Sequence, residues 1–231
     1  MISAVAGRIA SHLALIFLIL LGGCSRLPDY GKPRSFPRDA IQPGAVVSYR
    51  YLDVADFQAK DLPDHLHDHG QHVNAYSAVA IRAAPGSQYI LSPPNEGLSI
   101  QVYSVLVKNL AFEAVLLPAH SWWNPSLAKE KFAYVLQHEQ IHFALMEVAA
   151  RRLTGKAERE QAQLAVFDSS AEAAAKRLLQ KIEEWLAESE EDVLREHTEF
   201  DEATSGRYAP EVQQEWLERV EKDLKDLAGM D

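Results

Sequence analysis

The hydrophobic pattern of this chain changes period partway along. Between Val46 and Leu117 the apolar residues alternate with polar ones or run in short β-branched stretches, which is the pattern of strands. Val46 to Leu52, Ala75 to Arg82 and Tyr89 to Ser92 read as strands, with Pro85-Gly86-Ser87 as a turn that folds the third back on the second. Leu98 to Val107 and Leu110 to Leu117 read as a hairpin around Lys108-Asn109. Asp53 to Lys60 is expected to form a helical turn around Phe57, and Ser121-Trp122-Trp123 a hydrophobic plug between sheet and helix. From Phe132 to Leu153 the spacing becomes helical. Asn124 is the expected N-cap and Pro125 the first helical residue, and neither Gly nor Pro follows until Gly155. Tyr134, Val135, Ile141, Leu145 and Ala149 share one side of this helix, while Phe132, Leu136 and Phe143 form a second apolar face. A helix apolar on two sides is expected to be largely buried. Ser169 or Ser170 is placed to cap a long helix running past Trp185 to about Glu199, and Pro210 to open a last one carrying Val212, Trp216, Val220 and Leu224 on one side. The expected fold class is α+β, an antiparallel sheet of about three to five strands packed on helices, with a helical C-terminal half.

Composition bears mainly on the ends and the surface. The chain has 231 residues, 47% hydrophobic and 24% charged, which fits one globular domain plus a leader. Its formal net charge of −10 argues against nucleic-acid binding. Residues 1–23 read as a signal peptide: Arg8, an apolar run from Leu13 to Leu21 too short to span a bilayer comfortably, then Leu21-Gly22-Gly23-Cys24. Those four residues resemble the bacterial lipobox, which implies that Cys24, the only cysteine, carries the lipid anchor. The implied location is the bacterial cell envelope, facing the periplasm, and Ser25 favours the outer membrane. Residues 24–44 hold Pro28, Pro33, Pro37 and Pro43 and are expected to be a tether without fixed structure, leaving 45–231 as the folded domain.

Chemistry concentrates in His138-Glu139-Gln140-Ile141-His142, an H-E-x-x-H on the central helix. At about 100° per residue the two imidazoles lie within roughly 40° of each other and can bind one Zn²⁺. Glu139 stands where a general base for water is needed. The motif supplies two ligands, and a catalytic zinc usually takes a third from the protein. Glu147 lies on the opposite face of the helix and is rejected. His197 and Asp201, four apart, share a face if the long helix continues that far, and either could complete the site. A second concentration, His65, His67, His69 and His72, reads as a solvated polar loop or as a metal-capturing one. The acidic run Glu188 to Asp192 lacks the glycine turn of a calcium loop and reads as a solvated face.

Several of these stretches together resemble a bacterial family catalogued as a domain of unknown function, whose members are described as secreted zinc-dependent proteases. The resemblance is carried by Ser121-Trp122, by His138-Glu139-Gln140-Ile141-His142-Phe143 and by Arg151-Arg152-Leu153. Tyr51-Leu52 with Asp56-Phe57, His72 to Ser77, and Phe200-Asp201, Thr204 and Glu215-Trp216 extend it over about residues 49–230. The chain departs from the family pattern at Ile141, Phe200 and Gly206, which stand where glycine, tyrosine and histidine are usual. The resemblance implies a zincin-like domain and a membrane-anchored zinc metallohydrolase, a peptidase acting on peptide or protein substrates of the envelope. His138, His142 and Asp201 (or His197) would hold Zn²⁺, with Glu139 catalytic. Two other readings stay open. A degenerate relative would keep the fold as an envelope interaction protein, and a periplasmic zinc-binding lipoprotein would use His65, His67, His69 and His72.

Overall fold

A computed structural model of the chain describes residues 27–37, 41, 45–94, 102–205 and 207–228. Residues 1–23, read above as a signal peptide, Cys24 and Gly206 lie outside the described residues. The strands are β1 (Val47–Ser48), β2 (Ala75–Tyr76), β3 (Val79–Ala83), β4 (Gln88–Ser92), β5 (Tyr103–Asn109), β6 (Phe112–Leu116), β7 (Trp122–Trp123) and β8 (Val166–Asp168). The helices are α1 (Phe132–Arg159), α2 (Ala171–Thr204) and α3 (Pro210–Ala228). The class is α+β with antiparallel pairing throughout, in sheets ordered β1-β6-β3, β2-β7 and β4-β5-β8.

The strands pair differently from the two hairpins that the turn residues predict. β3 pairs with β6, from Val79↔Leu116 to Ala83↔Phe112, and β4 pairs with β5, from Gln88↔Asn109 to Ser92↔Ser104. Residues 79–92 and 103–116 thus form one long antiparallel ribbon: Pro85-Gly86 is the expected turn, closed by the Ser87 amide on the Ala84 carbonyl (2.9 Å), but it bends the ribbon instead of reversing the chain, and Lys108-Asn109 makes no hairpin. The bend is held across the ribbon. The Ala84 amide donates to the Ala111 carbonyl (2.8 Å), the Ser87 hydroxyl donates to that same carbonyl (3.1 Å), and the Ala111 amide donates to Ser87 Oγ (3.2 Å). Lys108-Asn109 contains no glycine to take the left-handed turn geometry. Leu110, which follows, is buried in the core. Carrying the chain onward through Leu110 therefore buries more apolar surface than a tight reversal would.

Strand β1 is also shorter than its alternation suggests. After Ser48 the backbone leaves the sheet for a side chain of α1: buried Gln140 accepts from the Leu52 amide (2.7 Å) and donates to the Arg50 carbonyl (3.3 Å). Arg50 in turn pairs with Asp56 at the end of the capped turn Val54–Asp56. One non-histidine position of the H-E-x-x-H thus fastens the first strand to the helix.

Helix α1 is the centre of the molecule. Every residue from 139 to 150 is buried, because β6 and β3 cover one side and α2 and α3 the other. Ile141, Phe143, Leu145, Met146, Ala150 and Leu153 join Ile81, Val105, Ala114 and Leu116 of the strands and Leu178, Val193 and Phe200 of α2 in one core. The helix begins at Phe132, after a 3₁₀ turn at Lys129–Lys131, and not at Pro125. Asn124 caps no helix: its Oδ1 accepts from the Ser126 amide (2.9 Å) and its side-chain amide donates to the Val73 carbonyl (3.2 Å), closing a turn beside β2. At the other end the helix runs through Gly155 to Arg159. Glycine costs about 1 kcal/mol in a helix interior, and the burial of Leu153 and Ala157 on either side outweighs it. Trp123 fulfils the plug role, with edge-on contacts to Phe57 and Phe132.

Helix α2 starts where expected, with the Ser170 hydroxyl accepting from the Ala173 amide (3.1 Å), but continues past Glu199 to Thr204. That extra turn carries Phe200 and Asp201 to α1. Residues 27–37 also differ from expectation. They lie against the domain, with Tyr30 stacked on His69 (ring centroids 3.5 Å apart) and Phe36 against His120. Two aromatic anchors hold what its prolines suggested was a free tether. Among the described residues no helix is long and apolar enough to cross a membrane.

Candidate metal centre

Two helices build the centre. Helix α1 presents His138, Glu139 and His142, and the last turns of α2 present His197, Phe200 and Asp201. Asp201 Oδ1 lies 3.1 Å from both His138 Nε2 and His142 Nε2, and those two nitrogens lie 3.1 Å from each other. Three donors thus form a nearly equilateral triangle. The edges of a tetrahedral zinc site with bonds of about 2.0–2.1 Å are about 3.3–3.4 Å, so the triangle needs to open by only ~0.3 Å to accept the ion. Among the described residues this is the group of donors able to hold a metal ion.

The surroundings fit a cation. Asp201 sits in the last turn of α2, where carbonyl oxygens already concentrate negative charge and that turn holds no basic residue. Its hydrogen-bonding side chains are His138, His142 and Ser205. Phe200, fully buried, stacks against His138 (4.5 Å) and meets His142 edge-on (5.0 Å), so the imidazoles are backed by an apolar wall that lowers the local dielectric. Phe200 is therefore a packing surface behind the two imidazoles.

Burial and charge act in opposite directions on these groups. Burial pushes the His142 pKa down, but the Asp201 carboxylate, with help from Glu139, more than reverses this, and the net shift is upward. Burial pushes Asp201 up, but His142 and His138 hold it well below the usual carboxylate range. His197 is driven down to about 3, first by burial and then by its histidine neighbours, and is neutral under ordinary conditions. A metal ion taking His142 Nε2 must displace the proton shared with Asp201, whereas Asp201 itself is already ionised. Metal affinity is therefore expected to fall as pH falls, by about tenfold per unit for the His142 proton, from a point above the ordinary histidine range, and to level off at higher pH. A chelator-competition titration between about pH 5.5 and about pH 8.5 measures this.

Glu139 is buried, and its Oε2 accepts a 2.6 Å hydrogen bond from the Ser77 hydroxyl. Ser77 lies in the short break between β2 and β3. The sequence signal for it is slight, a polar residue interrupting the apolar run from Ala75 to Arg82. Glu139 and the three donors line a cleft of about 1000 Å³. Residues 27–36 form much of its outer wall, together with His65 and His72. The donors are only partly shielded, His138 retaining 17% of its side-chain exposure.

The structure thus brings together His138, His142, Glu139 and Asp201, and keeps the other candidates apart. His197 approaches through His142 alone. Glu147 accepts from Arg151 and from the Ala114 amide, and belongs to the helix–sheet contact. Of the His-rich segment, which forms the 3₁₀ stretch Asp64–His72, His67 lies near Asp64 (3.8 Å), His69 stacks on Tyr30 and His65 meets Tyr76 edge-on. These histidines face different neighbours and form no metal cage. Comparison of the chain with protein-family models, with curated proteins and with solved structures finds no match.

Proposed function

We propose that this protein is a zinc-dependent metallohydrolase of zincin-like type, a peptidase, held to the bacterial cell envelope through a lipid on Cys24. The observation that carries the reading is the convergence of His138, His142 and Asp201 beside Glu139 at an accessible cleft. Two imidazoles and one carboxylate with an open face are the donor set of a catalytic rather than a structural zinc site. Zinc bound there would lower the pKa of water and polarise a carbonyl. Glu139 takes the proton of the attacking water, and the Ser77 hydrogen bond holds its carboxylate in place for that task. Phe200 keeps bulk water from the rear of the imidazoles. The cleft receives an extended substrate between the 27–36 segment and the mouth of the site. The choice of a peptide bond over other acyl substrates rests on the family resemblance. The anchor rests on the lipobox-like Leu21-Gly22-Gly23-Cys24.

Metal content tests the reading directly. The full chain, purified in detergent without a histidine tag, is expected to hold about one zinc, and the His138→Ala, His142→Ala double variant none. A wild-type chain that takes up no zinc from a micromolar supply overturns the proposal. Zinc that survives the double variant but is lost with His65, His67, His69 and His72 would transfer the site to that segment.

A further inference from the structure

His197 is the polar side chain of this centre to which the metal reading assigns no task. It is 4% exposed and lies one turn before Asp201 on α2. Its ring centroid is 4.8 Å from that of His142, and its Nδ1 stands 3.2 Å from His142 Nδ1. Its Nε2 is buried and finds no hydrogen-bond partner among the described residues. Two nitrogens at that distance share one proton, and whichever ring carries it is the donor. The position of this proton decides what the opposite edge of His142 can do. With the proton on His142 Nδ1, the neutral ring turns an Nε2 lone pair toward His138 and Asp201. With the proton on His197 Nδ1, the neutral His142 ring carries its own hydrogen on Nε2, and an N–H blocks the point where the three donors meet.

We propose that His197 is a positioning residue: it accepts the Nδ1–H of His142 and so fixes the tautomer that offers Nε2 to the metal. The inference rests on the metal-centre reading above. His142 Nδ1 has no other hydrogen-bond partner among the described residues, whereas Asp201 competes for a proton on Nε2 until a metal takes that place, so His197 is the group that draws the proton to Nδ1. His197 then carries its own proton on Nε2, the buried nitrogen without a partner among the described residues. Partners of this kind on a metal-binding histidine raise its basicity and hold its ring plane, and their loss usually costs about 10- to 100-fold in affinity.

Two variants separate the hydrogen bond from packing. In His197→Asn the amide oxygen can occupy the place of Nδ1 and still accept, whereas His197→Leu fills the space and accepts nothing. In the full chain, with folding checked by circular dichroism, His197→Leu is expected to weaken zinc binding about 10- to 100-fold, and His197→Asn to stay within about threefold of wild type. ¹⁵N NMR of the metal-free Asp201→Ala chain, in which no carboxylate competes for Nε2, is expected at a pH where His142 is neutral to place its proton on Nδ1 when His197 or His197→Asn is present, but not with His197→Leu. Wild-type zinc affinity in His197→Leu, equal losses in both variants, or a His142 protonated on Nε2 in Asp201→Ala would each overturn the proposal. The NMR readout needs no metal and no substitution of His197. It decides the hydrogen bond even if His197→Leu fails to fold, and it separates failure of this inference from failure of the metal reading, which would show as a wild-type chain without zinc.

Discussion

Glu139→Gln is expected to leave zinc bound and to slow peptide hydrolysis by about 10²- to 10⁴-fold. The substitution is nearly isosteric, and its amide oxygen can keep the Ser77 hydrogen bond that Glu139 now accepts. The donors His138, His142 and Asp201 are untouched, so the metal should be retained. What is lost is a group able to take a proton from water. The check is a pair of measurements on one preparation, zinc per chain and single-turnover hydrolysis of a peptide library. A variant with full zinc and unchanged hydrolysis would remove Glu139 from the chemistry. A wild type with full zinc and no hydrolysis of any peptide would favour an inactive relative that keeps the centre for binding alone.

Asp201→Ala is expected to weaken zinc binding by about 10²- to 10³-fold. Tight four-ligand sites gain about 10–16 kcal/mol in total, so one ligand is worth roughly 3–4 kcal/mol, and tenfold is about 1.4 kcal/mol. Protonation does not account for the loss. Asp201 is the main group that raises His142, and without it only the Glu139 charge opposes burial, so proton competition at that ring decreases while affinity still falls. Competitive titration with a zinc chelator at two pH values distinguishes the two effects. Near-wild-type affinity in Asp201→Ala together with complete loss in His197→Leu would make His197 the ligand instead, against the 3.1 Å contacts of the carboxylate.

Much of the candidate site was legible in the sequence because it is local. His138, Glu139 and His142 lie on one helix, and their alignment follows from the helical repeat alone. The two apolar faces of the same helix implied its burial, and every residue from 139 to 150 is buried. The Ser170 cap and Pro210 at the start of α3 are likewise short-range features. Errors arose where a local signal competed with distant partners. Pro85-Gly86 does form its turn, and Lys108-Asn109 looks like one, but neither makes a hairpin, because the strands on both sides find longer-range partners. Asn124-Pro125 has the chemistry of a helix start and closes a turn on Val73 and Ser126 instead. The prolines of residues 28–37 suggested a free tether, but Tyr30 and Phe36 had partners, His69 and His120, that no local pattern identifies.

The sequence by itself therefore determined the helix that carries the H-E-x-x-H, its buried character, the long helices of the C-terminal half and the two histidines with their neighbouring acid. Each of these depends on residues within a few positions of one another, where backbone geometry dictates spacing. Only the tertiary structure decided between Asp201 and His197, because both lie on one face of α2 and the choice depends on how that helix crosses α1. A rotation of about 40° per four residues is too small to separate two side chains by pattern. The same crossing set Asp201 against His142 across 59 positions of sequence and brought Ser77 to Glu139 across 62. Contacts at such separations are selected by the packing of whole elements.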